Sequence, residues 1–359
     1  MTLPKRILVI ATRRIGDVLL TTPLIRSLKS KWPNAILDVL VFEKTQDILF
    51  GNPDINNIIT IAERPSFISH LKLLKKLWRK YNLSVSVLPG DRPTLYAWLA
   101  GHYRIGLLIN EKKHKWKQYL LNQWVPFNGE NEHTVSMCLS LAKTLGVKPM
   151  AEVVLKWNDQ QARRVAELLI SKQVYAVLHL YPKFSYKMWH ADGWIALTEY
   201  LLKQNLRVII TGSAAADEMQ YIAEIFKRLP PDVINLSGQL DFGEIAYLLS
   251  GAAIYVGPDT SISHIASAMN TPTLALFGPS NPVKWGPWPS HQTNLTSPYQ
   301  FKGSQNSGNV SLLQGKGDCV PCLQEGCERH LHSNSDCLQR MSAETVIAAA
   351  ERILRKPVD

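Results

Sequence analysis

No apolar run in this chain of 359 residues approaches the length that crosses a bilayer. Its start offers only the run from Ile7 to Ala11 after Lys5-Arg6, too short for the core of a secretory signal. The expectation is therefore a soluble cytoplasmic protein. No Gly-x-Gly-x-x-Gly fingerprint follows either of the strands that open its two halves, which argues against a nicotinamide or flavin dehydrogenase, and no Walker A sequence appears. No base-reading motif is visible either, so nucleic acid is not an expected partner. Acids are scarce: 29 Asp and Glu stand against 40 Lys and Arg, for a net charge of +11. Such a chain calls for an anionic partner, and a phosphorylated substrate or an anionic membrane surface would both be drawn to it.

The excess is uneven. Between His70 and Leu120 eleven Lys or Arg face two acids, Asp91 and Glu111. Lys72 to Lys80 read as the solvated face of a helix whose apolar stripe is Leu71, Leu74, Leu77 and Trp78. Lys112-Lys113-His114-Lys115-Trp116-Lys117 has no such stripe and reads as a basic loop or helix start suited to phosphate groups.

Apolar runs and helical periodicity alternate along both halves. In the first, strands are expected at 6–11, 37–42, 58–61, 84–88 and 103–107, with helices at 17–30, 45–50, 66–81, 94–100 and 133–145. After a break at Gly146 to Pro149 the alternation restarts, with strands at 174–181, 207–211, 233–236, 252–256 and 273–277. Helices fall at 159–172, 192–203, 215–228, 242–250, 260–269 and 342–355. Such alternation predicts two α/β units with parallel, doubly wound sheets, 1–150 and 151–359, facing each other across a cleft. Residues 301–317, rich in Gly, Ser, Asn and Gln, read as a mobile surface loop.

The chemistry centres on Val256-Gly257-Pro258-Asp259-Thr260-Ser261-Ile262-Ser263-His264. A buried strand runs through a Gly-Pro turn into a helix whose first N–H groups lack partners and sit at the positive end of its dipole, a site for an anion such as a diphosphate. Thr260, Ser261 and Ser263 add hydroxyl donors, and His264, four residues after Thr260, shares its helix face. Asp259 or Thr260 is equally placed to be a plain helix cap.

Three motifs now coincide: Ile-Gly-Asp-Val-Leu-Leu-Thr-Thr-Pro at 15–23, Lys187-Met188-Trp189, and Gly257-Pro258-Asp259-Thr260 to His264 with Phe277-Gly278-Pro279. In this order, spanning nearly the whole chain, they resemble the family 9 glycosyltransferases, the heptosyltransferases of lipopolysaccharide core synthesis. The resemblance implies a B-type glycosyltransferase of two Rossmann-like domains, the first binding acceptor and the second the nucleotide-sugar donor. It implies inverting transfer of heptose from ADP-heptose to a phosphorylated, lipid-linked core acceptor, with no metal required for catalysis, at the inner face of the cytoplasmic membrane. Asp17 becomes the general base, a role that competes with simple helix capping. Lys187, with Lys183 and Tyr186 as rivals, becomes the catalytic donor-phosphate and transition-state contact. Asp259, Thr260, Ser261 and His264 become the diphosphate end of the donor site, and Glu218 a ribose-binding acid. Ser261 stands where many members carry Gly. Arg13 and Arg14, more basic than the residues common there, become acceptor contacts with Lys112, Lys113 and Lys115.

Cys319, Cys322, Cys327 and Cys337 follow as C-x2-C-x4-C-x9-C. In a cytoplasmic chain such clustering points to a structural zinc or to free thiols before disulfides. Other readings keep the fold and change the use: transfer from another nucleotide sugar, epimerisation or hydrolysis of one, or a basic nucleic-acid- or membrane-binding protein with an inactive sugar site.

Overall fold

A computed structural model describes residues 3–169 and 173–355; the side chain of Lys113 and the end of the helix expected at 159–172 lie outside that description. The chain divides into two compact units, one running to Lys156 and including His291–Ser297, the other formed by Trp157–Ser290 and the chain from Pro298 on.

The first unit is built from β1 (Arg6–Ile10), α1 (Ile15–Leu19), α2 (Thr22–Lys31), β2 (Ile36–Phe42), β3 (Asn57–Ile61), α3 (Phe67–Leu77), β4 (Tyr81–Ser86), α4 (Asp91–Ala100), β5 (Gly101–Leu108), β6 (Gln123–Pro126) and α5 (Thr134–Thr144). A 3-10 segment, Lys112–Leu120, links β5 to β6. Its sheet runs β3-β2-β1-β4-β5-β6, all parallel. The order reverses between β1 and β4, and the loops after those strands open at the edge where such sheets bind ligands. Leu8, Ile10, Leu40 and Tyr96 lie in the buried core beneath that edge.

The single helix expected over 17–30 is two. Pro23 stands in the first turn of α2 and has no N–H to continue the ladder from α1, so the chain turns at Leu20 and Thr21 before starting again. The helix expected over 66–81 is shorter than its periodicity: Ser66 caps it, accepting from the Ser69 N–H, and Arg79 at φ +47° ends it before β4.

The second unit contains α6 (Asp159–Leu169), β7 (Tyr175–His179), α7 (Ala191–Lys203), β8 (Arg207–Thr211), α8 (Ala216–Phe226), β9 (Ile234–Asn235), α9 (Phe242–Ser250), β10 (Ile254–Pro258), α10 (Ser261–Ala268), β11 (Thr273–Phe277), α11 (Pro282–Trp285), β12 (Gln305–Ser307), β13 (Val310–Gln314), α12 (Asp336–Gln339) and α13 (Ala343–Leu354). Its sheet runs β12-β13-β11-β10-β7-β8-β9, parallel except for the β12–β13 hairpin. The order reverses between β10 and β7. The mobile loop expected at 301–317 is therefore corrected. It holds this hairpin, turned at Gly308 with φ +52°, and Val310, Leu312 and Leu313 are buried where β13 pairs with β11. Five residues, three of them apolar and two of those adjacent, inside a polar, Gly-rich stretch, carry too weak an alternation to be read as a strand.

Candidate active site

In the first unit the site forms at the reversal point. Asp17 is carried by α1, immediately after β1, and is 9% exposed. Arg13 Nη1 lies 3.3 Å from Asp17 Oδ1, so the first of the two arginines is turned onto the acid, while Arg14 is exposed at the start of α1. Thr21 Oγ1 donates to the Asp17 carbonyl at 2.9 Å and holds the turn between α1 and α2. A cavity beside Asp17 is lined by Arg13, Thr21, Leu88, Phe127 and Cys138, drawn from the loops after β1 and β4, from the end of β6 and from α5. Burial pushes the Cys138 thiol up to about 12, so it stays protonated and behaves as an apolar filler.

The basic stretch is not uniform. Lys112 and Lys115 are exposed on the 3-10 segment. Lys117 is 1% exposed: its Nζ lies 2.6 Å from Asp91 Oδ1 and donates to the Pro89 carbonyl at 2.8 Å. It fixes the loop after β4 and offers no charge to a ligand. Sequence spacing could not reveal this, because the partner is 26 positions away.

In the second unit β10 ends in Gly257-Pro258, Asp259 and Thr260 form the turn, and Ser261 opens α10. A Cβ on Gly257 would lie 2.1 Å from Tyr255 Oη, so only glycine admits the ring. That ring hydroxyl meets Ser263 Oγ at 3.0 Å, and Ser263 donates to the Pro258 carbonyl at 2.5 Å, locking strand end to helix start. Ser261 has no positive φ, so the turn does not require glycine there.

Lys187 reaches this turn from the loop after β7. Its Nζ donates to Asp259 Oδ2 at 2.5 Å and lies 3.5 Å from the Asp259 carbonyl. Burial alone would raise the Asp259 carboxyl, but the Lys187 charge and hydrogen bond outweigh it, helped by Ser280 and His264, and hold it below the usual carboxylate range. Lys187 is itself anchored. Trp189 is fully buried, packs edge-on against Trp194 with centroids 4.9 Å apart, and donates its indole N–H to the Met341 carbonyl at 2.7 Å. Ser335 donates to the Tyr186 carbonyl and Gln339 to that of Met188. The residues around the last cysteine thus brace the lysine loop.

Two buried polar atoms beside this pair, Thr260 Oγ1 and His264 Nδ1, have no hydrogen-bond partner. Burial, chiefly, pushes the His264 imidazole down to about 4, so at neutral pH the ring carries one N–H and no charge. A second pair of such atoms, Glu218 Oε1 and Ser237 Oγ, flanks Gly212 at the end of β8. A Cβ there would lie 2.8 Å from the first and 3.1 Å from the second. Glu218 accepts from Ser213 through its other oxygen, and burial raises its carboxyl. Nearby, His179 Nδ1 lies 3.2 Å from Thr211 Oγ1, and burial pushes that imidazole to about 4. Sequence reasoning singled out Glu218 but neither Ser237 nor His179. The available signal was their position at strand ends on one edge of the sheet, His179 closing β7 and Ser237 following β9.

Cys319, Cys322, Cys327 and Cys337 are free thiols, and among the described residues no group of three or more His, Cys, Asp or Glu is arranged to hold a metal. Cys337 is raised to about 11, first by burial and then by the charges of Cys322, Cys327 and Cys319. No helix among the described residues is long and apolar enough to cross a membrane.

The model of glycosyltransferase family 9 (heptosyltransferase) matches residues 93–312. Lipopolysaccharide heptosyltransferase 3 of Escherichia coli K12 is 27% identical over 94% of this chain and 95% of its own length. Among solved structures, a family 9 glycosyltransferase from Veillonella parvula superposes with a TM-score of 0.76 at 19% identity, covering 98% of this chain and 97% of the other. The E. coli ADP-heptose lipopolysaccharide heptosyltransferase II does so at 0.72 and 20% identity, covering 97% and 98%. The two-unit architecture is the fold of these B-type glycosyltransferases.

Proposed function

Since the chain belongs to glycosyltransferase family 9, we propose that it moves a heptose from ADP-heptose to a phosphorylated, lipid-linked lipopolysaccharide core acceptor, with inversion at the anomeric carbon. A protein of the same fold, E. coli heptosyltransferase WaaC, has been solved with ADP and with ADP-2-deoxy-2-fluoro heptose. The observation that carries the reading is the Lys187–Asp259 pair at the start of α10, with the unpartnered Thr260 hydroxyl and His264 imidazole beside it.

In this reading Asp17 takes the proton of the acceptor hydroxyl as that oxygen attacks the anomeric carbon. The bond from that carbon to the diphosphate oxygen breaks on the opposite face, which inverts the centre. Charge appearing on the departing ADP is met by Lys187, by the first N–H groups of α10, including that of Ser261, and by the Thr260 hydroxyl and the neutral His264 N–H. Asp259 is a positioning residue: its carboxylate fixes the ammonium before donor arrives, which removes reorganisation from the transfer step. Glu218 and Ser237 present acceptor and donor atoms suited to the ribose hydroxyls. Arg14, Lys112, Lys113 and Lys115 draw the acceptor's phosphates, with Arg13 divided between them and Asp17. The first unit is thus assigned to the acceptor and the second to the donor. The enzyme works at the cytoplasmic face of the membrane in which its acceptor is anchored, and no catalytic step requires a metal. A structural zinc on Cys319, Cys322, Cys327 and Cys337 rests on their sequence spacing alone; metal content of the purified protein tests it.

The test of the function is ADP release from ADP-heptose with and without a truncated core acceptor, beside a panel of other nucleotide sugars. Acceptor-dependent release from ADP-heptose supports the reading. Activity with another donor alone would keep the fold and replace the sugar.

A further inference from the structure

We propose that the outer face of α3, α4 and the 3-10 segment Lys112–Leu120 is a docking surface for an anionic phospholipid bilayer. The inference deepens the reading above, since it rests on an acceptor anchored in lipid. In sequence, Lys72 to Lys80 read as the solvated face of a helix whose apolar stripe is Leu71, Leu74, Leu77 and Trp78; Lys72, Lys75, Lys76 and Lys80 are exposed as that reading expects, but Leu71 and Trp78 of the stripe are exposed with them. Leu73 and Leu77 are buried, yet Phe67, Ile68 and Leu71 are 78%, 65% and 42% exposed. Spaced i, i+1 and i+4, these three share the side of α3 turned away from the core, and exposed Lys72 and Lys75 adjoin them.

The neighbouring elements repeat the pattern. α3 packs on α4 and α4 on the 3-10 segment. On α4 the outward residue is Leu95, 42% exposed, and on the 3-10 segment Trp116 and Tyr119 are 43% and 88% exposed. Trp78, which caps α3, is 61% exposed. Seven of the fifteen large apolar side chains exposed among the described residues therefore fall between positions 67 and 119, on three adjoining elements. Scattered exposure would need no explanation; this concentration does.

Charge selects the occupant. From Arg64 to Lys117 twelve Lys or Arg accompany only Asp91 and Glu111; the buried Lys117–Asp91 pair cancels itself, which leaves eleven cations against Glu111. Aromatic and aliphatic side chains protruding among lysines are the chemistry of insertion at a headgroup boundary, where the apolar groups enter the acyl edge and the ammonium groups meet lipid phosphates. A protein partner would need a correspondingly acidic face. A bilayer supplies apolar depth and negative charge together.

The test is co-sedimentation of the full chain with vesicles of phosphatidylcholine containing phosphatidylglycerol, against phosphatidylcholine alone, at two salt concentrations. Two variants accompany it, Phe67→Gln/Ile68→Gln/Leu71→Gln and Lys72→Gln/Lys75→Gln. Turnover of a lipid-free truncated acceptor serves as a check on folding and on the enzyme reading separately. The expected result is binding that needs phosphatidylglycerol and weakens with salt. It falls about tenfold or more in the apolar variant, and the lysine variant loses the preference for the anionic lipid; turnover of the lipid-free acceptor is unchanged in both. Absence of vesicle binding, or binding that neither variant alters, would overturn the proposal. So would self-association of the wild-type chain that the apolar variant abolishes, because a second copy would then be the occupant.

Discussion

Lys187 and Asp259 form an ion pair at 2.5 Å in which the acid is the more deeply enclosed partner, its side chain 7% exposed against 18% for the lysine. A buried carboxylate facing a diphosphate would repel it. A carboxylate that holds a lysine in place does not, and the pairing assigns Asp259 to Lys187 before it assigns it to any ligand. Removing either partner leaves the other charge poorly compensated.

Lys187→Ala is therefore expected to lower kcat by about 10²–10³, the scale of losing one preorganised charge donor. Asp259→Asn is expected to lower kcat by a similar factor, because the ammonium is no longer fixed. The double variant should be little worse than Lys187→Ala alone, since the two act as one unit. Steady-state kinetics of the three variants checks this; additive losses would show that Asp259 acts independently of Lys187.

Ser237→Ala and Glu218→Gln should weaken donor binding, each raising the donor KM about tenfold with a smaller effect on kcat, as expected for contacts remote from the bond that breaks. Calorimetric titration with ADP separates binding from chemistry. Unchanged ADP affinity in both variants would remove Glu218 and Ser237 from the proposed donor site.

The pH dependence of stability follows from His179 and His264. Burial first of all pushes both imidazoles down to about 4 in the folded chain, whereas an unfolded chain holds them near 6.5. Between about pH 4 and 6.5 the unfolded state binds more protons, so stability rises with pH through that window and is lost as pH falls through it. Asp259, held below the usual carboxylate range, loses its contribution only in more acidic solution than this. Thermal midpoints measured from pH 7 to 4.5 should fall steadily, and less steeply in His179→Gln. Glu218, whose carboxyl burial raises, contributes with the opposite sign in this window, so the decisive comparison is between proteins: equal slopes in wild type and His179→Gln would contradict the burial of that ring in neutral form.

Much of the second unit was legible in the sequence. Arg207 to Thr211, Phe242 to Ser250 and Thr273 to Phe277 have the bounds expected of them, and the structure shows a capping box of Asp241 and Glu244 at the start of the helix among them. What escaped reading depends on partners distant in sequence. β6 is four residues without a buried face, recognisable only once β5 lies beside it. Lys117 looked like one charge in a basic run until Asp91 and Pro89 closed on it. Ser237 carries no motif of its own, and only the fold sets its hydroxyl against Gly212 with Glu218. The Lys187 loop was found by resemblance, but its bracing by Ser335, Gln339 and Met341 joins segments about 150 residues apart.

Asp17 as the general base of a heptosyl transfer is put to the test by ADP release from ADP-heptose in the presence of acceptor, wild type against Asp17→Ala, with ADP-heptose affinity measured in parallel. The expected result is a loss of about 10³-fold or more in kcat with donor affinity kept within about twofold, because Asp17 belongs to the first unit and the proposed donor contacts to the second. Retention of turnover in Asp17→Ala with ADP-heptose binding intact would contradict it.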